Sequence, residues 1–213
     1  MVMSALESAV KASVVNMEGF DANTNVLVAA DVSGSMQCRV SDRSSVQNFD
    51  IGILLSMLLK SKCASVVSGM FGDIWKVINL PQESILANTL EMHRREGEVG
   101  YSTNGHKVVE WMIENNVRMD KVMIFTDCQM WDSENRRGWF GDRELSKAWH
   151  QYKAIFPEAK LYLFDLAGYG HSPLNLAEPD VYLISGWSEK VFDILSAVDN
   201  GEDALSEIRK IVL

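Results

Sequence analysis

Three oxygen-bearing side chains follow the first apolar run of the chain. In "NVLVAADVSGSM", Asp31, Ser33 and Ser35 alternate with a valine and a glycine. The run at 25–31 is short and wholly apolar before its aspartate, which predicts a buried strand that ends where these side chains begin. Carboxylate and hydroxyl oxygens are hard ligands that suit Mg²⁺ or Mn²⁺, and Ca²⁺ with less selectivity. The alternative interpretation is a polar cap between a strand and a helix, because Asp and Ser are favoured at caps.

Two positions far along the chain supply oxygens of the same kind. Thr103 in "GYSTNG" precedes a predicted helix at 104–116, and Asp127 in "FTD" ends a second apolar strand at 121–127. In a parallel sheet the carboxyl ends of the strands share one edge, so Asp31 and Asp127 are expected to face the same crevice. In this interpretation Asp127 orients a water molecule bound to the metal.

Two other aspartates are interpreted as structural residues. Asp165 ends the strand-like stretch "AKLYLFDLAG" and is expected to be a turn or cap residue. Asp73 follows Gly72 between two strand-like stretches, which is typical of a hairpin turn. Neither is predicted to bind the metal.

Short apolar strands alternate with helices along the whole chain. This alternation predicts the α/β class, with a doubly wound (Rossmann-like), mostly parallel six-stranded sheet and helices on both faces. One antiparallel edge strand is expected after the turn at Gly72-Asp73. The prediction is a single domain, 1–213, whose core spans about 24–198, with an N-terminal helix at about 4–16 and a C-terminal helix at about 202–212. The strands are predicted at 25–31, 65–72, 74–80, 121–127, 159–168 and 180–186, and the helices between them at 49–60, 84–96, 104–116 and 142–156, with another at 189–198.

Composition narrows the class of protein. The net charge is −9 and the isoelectric point about 4.9, which argues against a basic platform for nucleic acids. The three cysteines form no CxxC motif, which is typical of reduced thiols in an intracellular protein. No apolar run reaches the roughly 18 residues of a membrane span, and the start of the chain lacks a signal-peptide pattern. A cytoplasmic protein with no membrane association is therefore expected.

The order Asp31-Val-Ser33-Gly-Ser35, then Thr103, then Asp127 resembles the metal-ion-dependent adhesion site (MIDAS) of von Willebrand factor A (vWA) domains. The resemblance covers roughly residues 24 to 198. It implies that the two serines and the threonine are direct or near-direct ligands, and that the two aspartates complete the sphere, often through water. Mg²⁺ is the expected ion, with Mn²⁺ or Ca²⁺ as alternatives. The sequence departs from the family at 101–102, where tyrosine and serine replace two frequent glycines.

A narrower resemblance rests on "SGMFGDIWKVIN", "KVMIFTDCQMW" and "LNLAEPDVYLISGW". These segments are similar to the C-terminal half of the Ro (TROVE) family of RNA-binding proteins. In that family a ring of helical repeats precedes the A domain and binds small non-coding RNAs. No ring fits before Asp31, so RNA binding is expected only through a ring domain absent from this chain. The chain is expected to be a fragment or a stand-alone A domain.

The resemblance implies a metal-dependent protein-interaction module, part of a Ro-like ribonucleoprotein, whose ion accepts an Asp or Glu carboxylate from a protein partner. No enzymatic activity is expected. A phosphatase-like metal-dependent hydrolase would need an acid two residues after its aspartate, where this chain has Ser33. That hydrolase and a direct RNA-binding domain are kept as alternatives. Exposed Trp and Arg side chains are typical of binding hot spots, so Arg136, Arg137 and Trp139 are candidates for partner contact.

Overall fold

A six-stranded mixed sheet forms the centre of the computed structural model. The structure describes residues 2–14, 20, 23–129, 141–170, 174, 180–187, 191 and 195, and for 141–143 it describes the backbone alone. The strand order is β3-β2-β1-β4-β5-β6; β3 is antiparallel to β2 and the other pairs are parallel. The predicted architecture is confirmed. The strands are β1 (Asn25–Asp31), β2 (Ser65–Phe71), β3 (Trp75–Val77), β4 (Lys121–Thr126), β5 (Lys160–Asp165) and β6 (Val181–Ser185).

Helices cover both faces of this sheet. Alternate side chains of β1 enter two separate cores: Val26 and Val28 pack on the side of α2, and Leu27 packs on the side of α4 and α5. Because both faces are covered, β1 and β4 are apolar at almost every position rather than at alternate ones. The helices are α1 (Val2–Val14), α2 (Asn48–Lys62), α3 (Leu86–Arg94), α4 (His106–Glu114) and α5 (Gly141–Ile155), with two short 3₁₀ helices at Gly34–Gln37 and Glu96–Val99.

The ends of the elements differ slightly from those predicted. Helix α2 begins at Asn48 because Gln47 and Asp50 form a capping box. Strand β3 spans only Trp75–Val77, against a prediction of 74–80. Helix α1 was expected to reach residue 16; it is described to Val14. The predicted helix at 202–212 lies outside the described residues.

Helix α1 packs on the core through Val10 and Val14 and is hydrogen-bonded to α3 through the carboxylate of Glu7. Both oxygens of Glu7 accept backbone N–H groups at the start of α3, from Ile85 at 2.7 Å and from Leu86 at 2.9 Å. A carboxylate at a helix N-terminus satisfies N–H groups that have no partner inside the helix.

Among the described helices, none is long and apolar enough to cross a membrane.

Candidate metal centre

Asp31 occupies the carboxyl end of β1 and is buried, with only 1% of its surface exposed. Its Oδ1 accepts the backbone N–H of Ser33 at 2.8 Å, and its Oδ2 accepts the hydroxyl of Thr126 at 2.6 Å. The hydroxyl oxygens of Ser33 and Ser35 lie 3.2 Å apart. The end of β1 and the loop after it therefore bring the Asp31 carboxylate and both serine hydroxyls close together.

Burial raises the pKa of Asp31 from 3.8 to about 7. The hydrogen bonds from Thr126 and Ser33 act in the opposite direction, and the nearby carboxylate of Asp127 adds to the rise. Two carboxylates close together in a buried site repel each other, and each loses the solvation that water would provide. A bound cation would remove both penalties by favouring the charged form.

Asp127 follows directly after β4 and is also buried. Its Oδ1 accepts the backbone N–H of Gln129 at 3.0 Å. Its Oδ2 is buried and has no hydrogen-bond partner among the described residues. A buried carboxylate oxygen without a partner is costly, and an ion or a coordinated water is a usual explanation.

Thr126 also holds the turn that carries Asp127. Besides donating to Asp31, its hydroxyl oxygen accepts the backbone N–H of Cys128 at 3.1 Å. Cys128 has a φ of 59°, a left-handed conformation that is uncommon for a residue with a side chain. The hydroxyl of Thr126 thus connects the turn after β4 to the carboxylate that ends β1.

Thr103 is 6% exposed and lies in the loop between the second 3₁₀ helix and α4. This loop contacts the serine loop directly, because the carbonyl of Tyr101 accepts the N–H of Gly34 at 3.1 Å. The structure therefore brings the three segments of the predicted metal set to one edge of the sheet. Arg136, Arg137 and Trp139, the predicted partner contacts, lie outside the described residues.

The donor set fits a hard cation. It combines hydroxyl groups with two buried carboxylates, one of which has an oxygen with no partner among the described residues. Such oxygens suit Mg²⁺ with several waters retained. Within the described part of the chain, no three His, Cys, Asp or Glu side chains group as a metal site. A centre here would depend on hydroxyl oxygens for the rest of its ligands.

Comparison with known proteins identifies the family. The family model described as the Ro60 vWA domain matches residues 25–198. The chain belongs to the Ro60 vWA domain family. No curated protein sequence matches it. The predicted resemblance to vWA domains and to the Ro family is confirmed, whereas the adhesion-type metal site stays a prediction.

A solved structure of a Ro protein supports the fold of this Ro60-type vWA domain. The Deinococcus radiodurans Ro (RSR) protein is similar, with a TM-score of 0.71 and 19% sequence identity, over 94% of this chain and 38% of that chain. The present chain therefore spans well under half the length of that protein. A mutant of the PilB minor pilin from Streptococcus sanguinis matches with a TM-score of 0.45 and 12% identity, over 85% of this chain and 62% of the other.

Two residues of this vWA domain bear on the site and were not predicted to do so. Thr126 was part of the quoted "FTD" motif, yet its bond to Asp31 joins residues 95 positions apart in sequence. A polar residue at the end of an otherwise apolar strand was the signal that could have found it. Asp73 was correctly expected in a hairpin turn, but its carboxylate also accepts the N–H of Ser102, next to Thr103. No local pattern indicated that contact.

Proposed function

We propose that this vWA domain is a protein-interaction module that uses a divalent cation to bind a partner carboxylate. Membership of the Ro60 vWA family supports the coarser function, a module for interaction with protein or RNA. The observation that supports the finer function is the buried, unpartnered Oδ2 of Asp127 beside the buried carboxylate of Asp31. The proposal includes no catalytic step.

The residues of the chain have separate parts in this proposal. The hydroxyls of Ser33, Ser35 and Thr103 would bind the ion directly, and Asp31 and Asp127 would complete its surroundings through oxygen or through water. Mg²⁺ is the proposed ion, with Mn²⁺ or Ca²⁺ as alternatives. When bound, the ion supplies a positive centre with an open coordination position for an Asp or Glu side chain of the partner.

Charge explains why such a domain would need an ion. With a net charge of −9, the protein repels an acidic partner at long range. A buried cation reverses the local charge at one point, and so restricts recognition of the acidic side chain to this edge of the sheet. RNA association would occur through a separate ring of helical repeats in a Ro-like ribonucleoprotein.

The test begins with the metal alone. Thermal unfolding of the purified chain is measured in EDTA and in rising Mg²⁺ or Mn²⁺. At a hundredfold excess over the dissociation constant, binding stabilises the folded state by about 2.7 kcal/mol, which corresponds to a rise in Tm of roughly 5 to 10 °C. Ser35→Ala should keep the wild-type Tm in EDTA and need more metal for the same rise. Ser44→Ala, which changes a hydroxyl on a surface loop, is the matched control.

The partner is tested second. Proteins captured by the wild-type domain in Mg²⁺ should be released by EDTA and should not bind Ser35→Ala. A wild-type Tm that does not respond to either ion would contradict the metal site. Metal binding with a partner that is retained in EDTA would contradict only the carboxylate bridge.

A further inference from the structure

The turn between β2 and β3 is fastened to the loop that carries Thr103. We define this contact as the hairpin clasp, formed by 72–74 and 99–104. Three residues of the turn take part in five hydrogen bonds. Asp73 and Ile74 donate their N–H groups to the carbonyl of Val99 at 2.7 and 3.2 Å, Ser102 donates its N–H to Oδ1 of Asp73 at 2.9 Å, and Asn104 donates its N–H to the carbonyl of Gly72 and its side-chain amide to that of Asp73, both at 3.1 Å.

We propose that Asp73 is a positioning residue for the metal centre: its carboxylate holds the loop of Thr103 in place and so sets the metal affinity. This inference rests on the proposed function. Thr103 lies between Ser102, which is held by the Asp73 carboxylate, and Asn104, which is held by the turn backbone. The backbone of Thr103 is therefore fixed on both sides.

Asp73 is exposed to solvent, yet its carboxylate is hydrogen-bonded to the loop that carries Thr103. Hydrogen bonds from the side chain and the backbone of Ser102 lower the pKa of Asp73 below its usual value. The carboxylate is therefore ionised at neutral pH and accepts both groups. A charged acceptor makes stronger hydrogen bonds than a neutral one, which favours a single loop conformation.

The close fit between turn and loop depends on two glycines. Gly100 has a φ of +74°, and a Cβ placed on it would lie 2.2 Å from Oδ2 of Asp73. A Cβ on Gly72 would lie 2.2 Å from the carbonyl oxygen of Gly100. Side chains at either position would push the two segments apart, so glycine is required at both. The clasp is thus a specific contact rather than a chance approach of two surface loops.

The hairpin clasp is connected to the proposed metal centre in two ways. Thr103 itself is one of the proposed ligands, and the neighbouring carbonyl of Tyr101 accepts the N–H of Gly34, between Ser33 and Ser35. A neutral hydroxyl attracts a cation weakly, so its contribution depends on accurate placement. Groups that orient a ligand in this way typically change metal affinity by 10- to 100-fold when they are mutated.

The experiment measures the affinity of the whole chain for Mn²⁺ from the electron paramagnetic resonance signal of the free ion, together with the Tm in EDTA. We expect Asp73→Ala to raise the dissociation constant for Mn²⁺ about tenfold. Asp73→Asn keeps a neutral oxygen that can accept the N–H of Ser102, so its dissociation constant should lie between those of the wild type and Asp73→Ala. Asp120→Ala is the matched control, because Asp120 accepts the N–H of Asn25 at 2.8 Å at the opposite edge of the sheet.

A double-mutant cycle separates positioning from general stability. If Asp73 acts mainly through Thr103, Asp73→Ala should weaken Mn²⁺ binding by a larger factor in the wild type than in a Thr103→Ala background. Additive losses, or an equal loss in Asp120→Ala, would overturn the positioning role. A loss in Asp73→Asn as large as in Asp73→Ala would overturn the hydrogen-bond mechanism. Wild-type protein that does not bind Mn²⁺ would overturn the proposed function itself, and this inference with it.

Discussion

Three neighbouring parallel strands, β1, β4 and β5, reach the same edge of the sheet and are each completed by an aspartate, but the three carboxylates differ in their partners. Both oxygens of Asp165 accept backbone N–H groups of the loop that follows, from Gly168 at 2.9 Å and from Gly170 at 2.8 Å. Asp127 receives one N–H from its own loop and keeps a buried oxygen without a described partner. At the same edge, one aspartate is fully satisfied by its own loop, whereas the other keeps an oxygen that no described group satisfies.

The loops explain this difference. Gly168 and Gly170 both have a φ of +71°, which curls the chain back so that two N–H groups point at the carboxylate of Asp165. Among the residues described directly after β4, 127–129, Cys128 is the left-handed one, and its N–H goes to Thr126 instead. Whether an aspartate at a strand end can bind an ion therefore depends on how completely the next loop satisfies it.

The largest expected effect concerns Asp31 and pH. The folded state keeps a proton on Asp31 up to about pH 7, whereas the unfolded chain releases it near 3.8. Between these values the folded state binds more protons, so stability falls as pH rises. About three pKa units correspond to about 4 kcal/mol. Urea unfolding in EDTA, measured at pH values between these two pKa values, should show that the free energy of unfolding of Asp31→Asn does not fall in this way.

The comparison is the difference between wild type and Asp31→Asn at each pH. This subtraction removes the contributions of other carboxylates to the pH dependence. One of them is Glu7, whose pKa is lowered and whose effect on stability has the opposite sign. Parallel curves for wild type and Asp31→Asn would show that Asp31 is ionised in the folded protein over the whole range.

The next effect in size is the loss of the Asp165 carboxylate. Asp165→Ala removes the acceptor of two loop N–H groups, and the cost should be about 2 kcal/mol, because the carboxylate is fully buried whereas Gly168 and Gly170 are exposed and can turn to water. The free energy of unfolding in urea should fall equally in EDTA and in Mg²⁺, because this carboxylate does not belong to the proposed metal set. A change in the stabilisation by Mg²⁺ would instead place Asp165 in that set.

Much of the structure at this edge of the sheet could be predicted from the sequence, and there is a physical reason why the rest could not. Apolar runs that end in aspartate predicted the strands, because a strand covered on both faces must be apolar throughout. Asp31 and Asp127 could be predicted to lie at one edge of the sheet, because the carboxyl ends of parallel strands meet there. The partners of Asp31 and Asp73 could not be predicted in the same way. Thr126 and Ser102 lie 95 and 29 residues away, and only the folded sheet brings them near.

The smallest expected effect has the opposite sign to that at Asp165. Asp127→Asn removes a negative charge next to Asp31 and keeps an oxygen for the N–H of Gln129. In EDTA this variant should be more stable than the wild type by about 1 kcal/mol, because a neutral amide costs less to bury than a carboxylate whose Oδ2 has no hydrogen-bond partner among the described residues. In Mg²⁺ the gain should disappear, since the amide attracts the ion less strongly. Urea unfolding in EDTA and in Mg²⁺ measures the free energy of unfolding of both proteins under each condition. A loss of stability in EDTA would mean that Asp127, like Asp165, serves mainly to hold its own loop.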